Sequence, residues 1–381
     1  MTKKFSSETN LPWWKKGVIY QIYPRSFNDT SGNGIGDLKG ISKKISYLSS
    51  LGVDAIWLSP IFTSPMKDMG YDVSNYTDID PLFGNILDFE KLIEKAKENK
   101  IKVIIDQVLS HSSDAHPFFK ISKSNKNNSK SDWYVWADPK PDGSPPNNWL
   151  SVFGGSAWEW DTSREQYYLH NFLKSQPDFN FHNEDVQKWL LSTVKFWLEK
   201  GVDGFRLDTA NYYFHDKKLR NNPAIKSRAS GKNPYYFQNL KYSINQKDNF
   251  AFLKKLRKLT DEYKETTMIG EISNVELQAK YTANNDKLHM AYSFDLLRNE
   301  FSPKHLRETV TKFFKETKDG WPTWSFSNHD VVRHLSRWNK SKKYRQKFAK
   351  LTCALLMSLK GTPCIYQGEE LGQTQTKIEF D

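Results

Sequence analysis

Short apolar runs rich in β-branched residues alternate along most of the chain with segments whose apolar residues recur every three or four positions. Runs of the first kind predict strands, and segments of the second kind predict amphipathic helices. The predicted strands are 18–23, 55–58, 102–106, 204–208, 267–271, 289–294, 323–327 and 363–367; the predicted helices are 38–51, 89–97, 186–200, 250–263, 304–317 and 343–359. Repeated strand–helix units build parallel sheets, and eight strands predict an α/β fold, a (β/α)8 TIM barrel.

Two stretches depart from this alternation. Residues 112–180 are rich in Asn, Ser, Pro, Gly and Trp and are too long for an ordinary connection, so they predict a small subdomain inserted after the third strand. A second irregular stretch covers 211–246, and no predicted helix follows the eighth strand before Asp381. The predicted organisation is a barrel over 1–111 and 181–381, incomplete at its C-terminus, with 112–180 as the insertion.

Composition narrows the choice of partners. A net charge of +12 would suit nucleic acid, but the Lys and Arg residues are scattered instead of forming an arm or a tail, so no nucleic-acid partner is expected. The 13 Trp residues and the aromatic content of 14% suit surfaces that stack on flat groups such as sugar rings, unless they all lie in the core.

The chain contains no segment apolar enough to cross a bilayer, and its first residues have no apolar signal-peptide core. The expected compartment is therefore the cytoplasm, without membrane association. Its two cysteines, Cys353 and Cys364, predict neither a disulfide nor a zinc site. Nothing in the sequence indicates an oligomeric state.

Ionisable side chains stand at the C-terminal ends of several predicted strands: Asp106, His111, Arg206, Asp208, Glu271, His329 and Asp330. A barrel presents these strand ends at one rim. The single Asp–Arg pair on 204–208 could also be a structural ion pair. Several ionisable residues at one rim, however, favour a functional site. The three carboxylates among them, Asp208, Glu271 and Asp330, are the residue type that glycoside hydrolysis requires: it needs a carboxylate nucleophile, a carboxylic acid with a raised pKa, and groups that stabilise an oxocarbenium-like transition state.

Four segments resemble, in order, the four sequence regions of the α-amylase family, glycoside hydrolase family 13: 106–111 (DQVLSH), 204–208 (GFRLD), the Glu271 of IGEI, and 326–330 (FSNHD). Three more resemble its α-glucosidase and oligo-1,6-glucosidase branch: 21–27 (QIYPRSF), 70–72 (GYD) and 176–180 (QPDFN). The resemblance extends from about Trp13 to the last residue. It implies an eighth helix and a C-terminal β-domain, which the sequence does not contain.

The resemblance implies a retaining mechanism with no organic cofactor. Asp208 is expected to attack the anomeric carbon, and Glu271 to protonate the leaving oxygen and then activate water, with the two carboxyls about 5–5.5 Å apart. Asp330 is expected to hold sugar hydroxyls and the charge of the transition state. Arg206 is expected to keep Asp208 ionised, and Asp106 to brace Arg206 from behind.

The resemblance also implies a pocket that closes around a terminal glucose, so that one glucose is released at a time. Its expected lining is Tyr71, Asp72, His111, Phe153, Phe172, Gln176, Arg206, Thr209 and His329. Ordinary packing is an alternative for each Phe, and a structural role is an alternative for each His. In this branch Thr after the nucleophile accompanies α-1,4 preference and Val accompanies α-1,6 preference, so Thr209 favours α-1,4 bonds.

Residues 29–37 alternate through Asp29, Ser31, Asn33, Ile35 and Asp37, resembling a loop that binds Ca²⁺ or Mg²⁺ in the family. The alternative is a Gly-rich turn held by Asx hydrogen bonds with no ion. Its glycines do not have the spacing of a dinucleotide fingerprint.

The sequence therefore predicts an exo-acting α-glucosidase that acts on maltose, short malto-oligosaccharides or sucrose. Two alternatives stay open. The first is an oligo-1,6-glucosidase, and the second is an inactive or incomplete family member that lacks the C-terminal part.

Overall fold

Eight parallel strands form the predicted barrel in the computed structural model, which describes residues 11–225, 233–339 and 341–376. They are β1 Ile19–Ile22, β2 Ala55–Leu58, β3 Lys102–Gln107, β4 Gly204–Leu207, β5 Thr267–Ile272, β6 Met290–Ser293, β7 Thr323–Trp324 and β8 Thr362–Tyr366. Each lies within, or within one residue of, its predicted run. The (β/α)8 fold is confirmed.

The strands are hydrogen-bonded in the order β6-β5-β4-β3-β2-β1-β8-β7. Between β6 and β7 the described residues contain one parallel bridge, from Ala291 to Pro322, which brings the two ends of the sheet together. β7 has only two residues, so the predicted strand 323–327 was too long. The register pairs Asp106 with Arg206 and Arg206 with Ile269, and Glu271, two residues further along β5, pairs with Tyr292. All four polar side chains therefore lie near the C-terminal ends of neighbouring strands.

The main helices are α1 Leu38–Leu51, α2 Ile86–Glu98, α3 Glu184–Glu199, α4 Asp248–Asp261, α5 Val275–Thr282, α6 Pro303–Glu316 and α7 Arg345–Ser358. α2 and α3 begin two or three residues before the predicted starts, because Asn85 and Asn183 cap them by accepting backbone N–H groups. The short α5 was not predicted. It has eight residues, too few for a clear apolar period, and its start is capped by Asn274.

Shorter elements complete the described chain. Trp13–Lys16, Pro117–Ser124 and His334–Arg337 are α-helical. The 3₁₀ turns are Pro24–Ser26, Pro234–Phe237, Ala283–Asn285, Phe294–Leu297 and Lys342–Tyr344. Phe62–Thr63 pairs with Asn75–Ile79 in an antiparallel ribbon between β2 and α2. Every helix of the described residues is too short or too polar to span a membrane.

The segment 112–180 contains a three-stranded antiparallel sheet, Trp136–Ala137, Gln166–Leu169 and Trp158–Asp161, with Gln166–Leu169 in the middle. Trp149 and Trp158 stack within its own apolar cluster. The second irregular stretch packs against it, since Asn148 and Asn222 exchange hydrogen bonds of 3.0 and 2.8 Å. The division of the chain into a barrel and a separate subdomain stays a prediction.

The barrel interior is filled by small and medium apolar side chains from six strands: Ile19, Ala55, Ile104, Ile269, Met290 and Cys364. A larger cluster lies between the strands and the surrounding helices. Many aromatics predicted to suit sugar stacking lie in apolar clusters, including the fully buried Trp149, Trp197 and Trp324. The aromatic content therefore reflects packing to a large extent.

Outside β8 and β1, α1 and α7 leave a cavity of about 200 Å³ lined by Val18, Leu51, Val53, Cys353, Leu356 and Ile365 among others. This cavity lies against the outer face of the first and last barrel strands.

Gly204 opens β4 at a close approach to β5. A Cβ at this position would overlap the carbonyl oxygen of Thr267. We expect Gly204→Ala to force the two strands apart and to lower the free energy of unfolding by about 1–3 kcal/mol, measured by urea denaturation. The matched Ser192→Ala, on the exposed face of α3, should change it by less than about 0.5 kcal/mol. Equal stability of the Gly204→Ala variant and the parent would contradict the close approach.

Candidate active site

Arg206, on β4, is the central residue of the rim. Its side chain is 1% exposed, and its guanidinium donates to three carboxylates: Asp106 and Asp208, both at 2.7 Å, and Glu271. The hydroxyl of Tyr292 accepts from the same group at 2.7 Å. The predicted convergence of Asp106, Arg206, Asp208 and Glu271 is thus present, because three neighbouring parallel strands end at the same rim.

Asp106, on β3, has both of its oxygens engaged. One accepts from Arg206, and the other accepts from the indole N–H of Trp57 at 3.2 Å and from the hydroxyl of Tyr71 at 3.0 Å. No oxygen of this carboxylate is left for a substrate. The contacts fit the predicted role of Asp106 as a brace for Arg206.

The carboxylates differ in their surroundings. Burial raises the pKa of Asp106, Asp208 and Glu271, and the guanidinium of Arg206 opposes part of each shift. The negative charges of Asp208 and Asp330 add to the rise for Glu271, whose pKa reaches about 8, and those of Asp106 and Asp330 add to the rise for Asp208, whose pKa reaches about 7. Two adjacent acids that share one cation do not ionise equally, and the arrangement favours a proton on Glu271 while Asp208 is ionised.

His329 lies between two tyrosine rings, stacked on Tyr71 at 5.4 Å and on Tyr23 at 5.9 Å between ring centroids. Its Nε2 is 2.7 Å from the Tyr71 hydroxyl, and its Nδ1 is 2.8 Å from the side-chain nitrogen of Gln21. Burial lowers the pKa of His329. This neutral imidazole ties the loop after β7 to β1 and to Tyr71.

Asp330 differs from the other two predicted catalytic carboxylates. Its side chain is 42% exposed, and its contacts are His329 Nε2 at 3.4 Å and the amide of Asn328 at 3.1 Å. Arg206 does not contact it, so Asp330 faces the open mouth while Asp208 and Glu271 are held inside. An exposed carboxylate at this place remains available to a ligand.

Asp72 is fully buried, and its oxygens accept from Ser64, Lys67 and Asp68 in its own loop. The neighbouring Asp68, and not Asp72, contacts another residue of the predicted pocket lining. Its carboxylate accepts from Gln176 at 2.7 Å, and burial raises its pKa. Asp68 was not identified from the sequence, because the motif at 70–72 begins two residues after it.

Phe172 and Phe153 line the side of the site that 112–180 provides. Phe172 packs 5.2 Å from the His111 ring and 5.4 Å from Tyr212, whereas Phe153 is 58% exposed and touches Phe172 edge-on at 6.1 Å. Phe172 is therefore fixed in place by packing, and Phe153 stands in solvent at the entrance.

Thr209 is in contact with both central carboxylates. Its backbone N–H donates to Glu271 at 3.2 Å, and its hydroxyl lies 3.3 Å from Asp208 Oδ2. Its φ is +39°, a left-handed conformation that is unfavourable for a β-branched residue. Strain of this kind is concentrated at functional sites, where surrounding contacts enforce it.

In loop 29–37 the side-chain oxygens of Asp29, Asn33 and Asp37 accept hydrogen bonds from the loop and from the start of α1. Asp29 accepts from the N–H groups of Ser31, Gly32 and Gly34, Asn33 accepts from Ile35, and Asp37 accepts from Thr30 and caps α1. In residues 11–225, 233–339 and 341–376, no group of three or more His, Cys, Asp or Glu could hold a metal ion. The carboxylates of Asp29 and Asp37 are thus engaged by donors of the loop itself. The Ca²⁺ or Mg²⁺ site stays a prediction, and no reaction step is assigned to it.

The chain is similar to a known protein family, to curated enzymes and to solved structures. A family profile described as "Alpha amylase, catalytic domain" matches residues 21–381. A probable α-glucosidase of Rhizobium meliloti is 52% identical over 98% of this chain and 70% of its own length. An oligo-1,6-glucosidase of Heyndrickxia coagulans is 41% identical over 97% of this chain and 68% of its own. The crystal structure of an α-glucosyl transfer enzyme, XgtA, superposes with a TM-score of 0.95 at 52% identity, covering 97% of this chain and 71% of that one.

We expect Arg206→Met to lower the free energy of unfolding by about 3–5 kcal/mol at pH 7.5, because it strands buried carboxylates without their cation. A carboxyl with a raised folded-state pKa costs stability as the pH rises from its unfolded pKa through its folded pKa. Removing Arg206 raises these values further, so the loss should be smaller at pH 5 than at pH 7.5, measured by urea denaturation.

The control is Arg298→Met, which removes a partner of Asp295 that is 60% exposed. Its effect should be much smaller at both pH values. An Arg206→Met loss that is the same at pH 5 and pH 7.5 would show that Arg206 does not set the charge of the three carboxylates.

Proposed function

The chain belongs to the α-amylase family, glycoside hydrolase family 13, and we propose that it is a retaining, exo-acting α-glucosidase. Its proposed substrates are short α-1,4-linked gluco-oligosaccharides such as maltose, and also sucrose, from whose non-reducing end it releases α-D-glucose. The observation that carries the proposal is the placement of Asp208 and Glu271 on the two terminal nitrogens of one buried guanidinium.

The geometry supports separate roles for the two carboxyls. Asp208 Oδ1 is held by Arg206, which leaves Oδ2 as the oxygen that bonds to the anomeric carbon. Glu271 carries the proton and gives it to the leaving oxygen as the glycosidic bond breaks. Water then attacks the glucosyl ester and transfers a proton to Glu271, which releases glucose and restores the Asp208 carboxylate.

Exo action is supported by side-chain contacts on two sides of the site. Gln176 donates to Asp68 at 2.7 Å and lies 3.1 Å from His111 Nε2, so the segment 112–180 is fastened across the site. His329 and Tyr71 close the opposite wall. A chain end enters such a pocket, whereas the middle of a polysaccharide does not.

Linkage preference rests on Thr209 and favours α-1,4 bonds. The alternative, α-1,6 cleavage, is motivated by the relative named an oligo-1,6-glucosidase. Transfer of glucose to a sugar in place of water is a further proposed reaction, motivated by the similar structure named an α-glucosyl transfer enzyme. An inactive family member is the remaining alternative, since the chain spans 70% of the length of the α-glucosidase it resembles.

We expect the chain to release glucose from p-nitrophenyl α-glucoside and from maltose, with α-glucose as the first product anomer seen by proton NMR. Asp208→Asn should lower kcat by roughly 10⁴-fold or more, because it removes the nucleophile. The matched Asp203→Asn, at the other end of β4 and outside the site, should keep activity. Folded protein that releases no more glucose than the Asp208→Asn variant, or β-glucose as first product, would refute the proposal.

We also expect kcat/KM for maltose to exceed that for isomaltose. Thr209→Val should shift this ratio towards isomaltose by about tenfold, the effect of a single altered pocket contact. The readout is the ratio measured with both sugars on each protein. Faster cleavage of isomaltose by the parent chain would overturn the α-1,4 assignment and favour the oligo-1,6-glucosidase alternative.

A further inference from the structure

An unbroken line of polar side chains runs from the segment 112–180 to the carboxylate of Asp208. The contacts are Gln176 Nε2 to His111 Nε2 at 3.1 Å, His111 Nδ1 to Ser110 Oγ at 2.9 Å, Ser110 Oγ to Thr209 Oγ1 at 2.9 Å, and Thr209 Oγ1 to Asp208 Oδ2 at 3.3 Å. Gln176, His111 and Ser110 are each at most 2% exposed. Because water has little access to them, these groups depend on each other for hydrogen bonds.

The orientation of Gln176 decides the direction of the first bond. Its side-chain oxygen accepts from the N–H of Leu173 at 2.9 Å, and its nitrogen donates to Asp68 at 2.7 Å. The nitrogen has one more proton to give, and His111 Nε2 is the acceptor within reach. Burial lowers the pKa of His111 to about 4, so the ring is neutral and its single proton then sits on Nδ1.

The two hydroxyls must follow that choice. When His111 Nδ1–H donates to Ser110, Ser110 gives its own proton to Thr209, and Thr209 gives its proton to Asp208 Oδ2. The last acceptor is an anion, which attracts the Thr209 proton and favours this direction. The ionised Asp208 and the Nδ1–H tautomer of His111 therefore stabilise each other across two hydroxyl groups.

The hydrogen bonds between the same side chains can also run in the reverse direction. His111 Nε2 is also 3.1 Å from the backbone oxygen of Tyr71, to which it can donate. Nδ1 then accepts from Ser110, Ser110 accepts from Thr209, and Asp208 Oδ2 loses its donor. Each hydroxyl has one proton, so a mixture of the two directions leaves two hydrogen atoms or two lone pairs face to face.

We propose that Ser110 is a positioning residue that couples the tautomer of His111, through Thr209, to the hydrogen bonding of Asp208 Oδ2. The inference rests on the proposed function, in which that oxygen attacks the substrate. Hydrogen bonds that run from His111 towards Asp208 stabilise the anion before attack. The glucosyl ester carries no negative charge on Oδ2, so once the bond to the sugar has formed, the hydrogen bonds can also run in the reverse direction.

The test that needs no catalysis is ¹⁵N NMR of protein labelled at histidine, with the His111 signal identified by its absence in His111→Gln. We expect Nδ1 to carry the proton at neutral pH. In Asp208→Asn, Arg206 holds the remaining side-chain oxygen, so the new amide nitrogen faces Thr209 and donates to it. The chain should reverse, and the His111 proton should move to Nε2.

Ser110→Ala should abolish this response, since it removes the only link on this path between His111 and Thr209: His111 should then have the same tautomer with or without Asp208→Asn. Ser112→Ala is the matched control, a buried serine of the same loop that bonds Tyr134 at 2.8 Å, and it should leave the response intact. A His111 tautomer insensitive to Asp208→Asn, or equally sensitive with Ser110→Ala, would overturn the proposal whether or not the chain releases glucose.

Kinetics supply a second measurement on protein that is active. Ser110→Ala should lower kcat/KM for p-nitrophenyl α-glucoside about three- to tenfold, and should cause no further loss in a Thr209→Val background, because it acts through that hydroxyl. Equal losses in both backgrounds would contradict the coupling. The acidic limb of the pH profile should be compared among the variants, because other ionisable groups around Asp208 also affect its ionisation. These groups are Asp106, Arg206, Glu271, Asp330, Tyr71, Tyr76 and Tyr213.

Discussion

One buried cation, the guanidinium of Arg206, is the interaction on which the rest of the rim depends. A charge removed from water is costly unless it is paired and hydrogen-bonded, and here Asp106, Asp208, Glu271 and Tyr292 supply the partners. They come from β3, β4, β5 and β6, which are neighbours in the sheet. The ion pairs form only in the register that brings these strand ends to one rim, so barrel register and site geometry are a single constraint.

Arg206 contacts both central acids, and their pKa values differ. Burial and negative neighbours raise the pKa of both, to about 8 for Glu271 and to about 7 for Asp208. Asp208 has one further donor beside it, the hydroxyl of Thr209. This residue has a left-handed conformation in which its hydroxyl points towards Asp208 and its N–H towards Glu271. The strain at Thr209 is therefore compensated by contacts with the two groups proposed to do the chemistry.

The irregular segments restrict access to a site that the barrel strands assemble. Gln176 fastens 112–180 to Asp68 and His111, and Phe172 packs against His111 from the same segment. On the other side His329 is clamped between two tyrosines. Two neutral histidines thus link the walls of the pocket to its carboxylates, and the contact between His111 and Ser110 extends this link to Thr209.

The sequence by itself determined the eight strands, most of the helices and the family, because apolar periodicity and strand-end residues are local properties that the chain retains wherever it folds. It also placed Asp106, Arg206, Asp208 and Glu271 at strand ends that had to meet. Tyr292 and Trp57 were missed because nothing near them in the sequence signals a role; their partners lie 86 and 49 residues away. The tertiary structure alone decided that Asp330 faces solvent, that Asp68 and not Asp72 reaches Gln176, and that Ser110 stands between His111 and Thr209. Those outcomes depend on distances between residues remote in sequence, which close packing fixes and local pattern does not record.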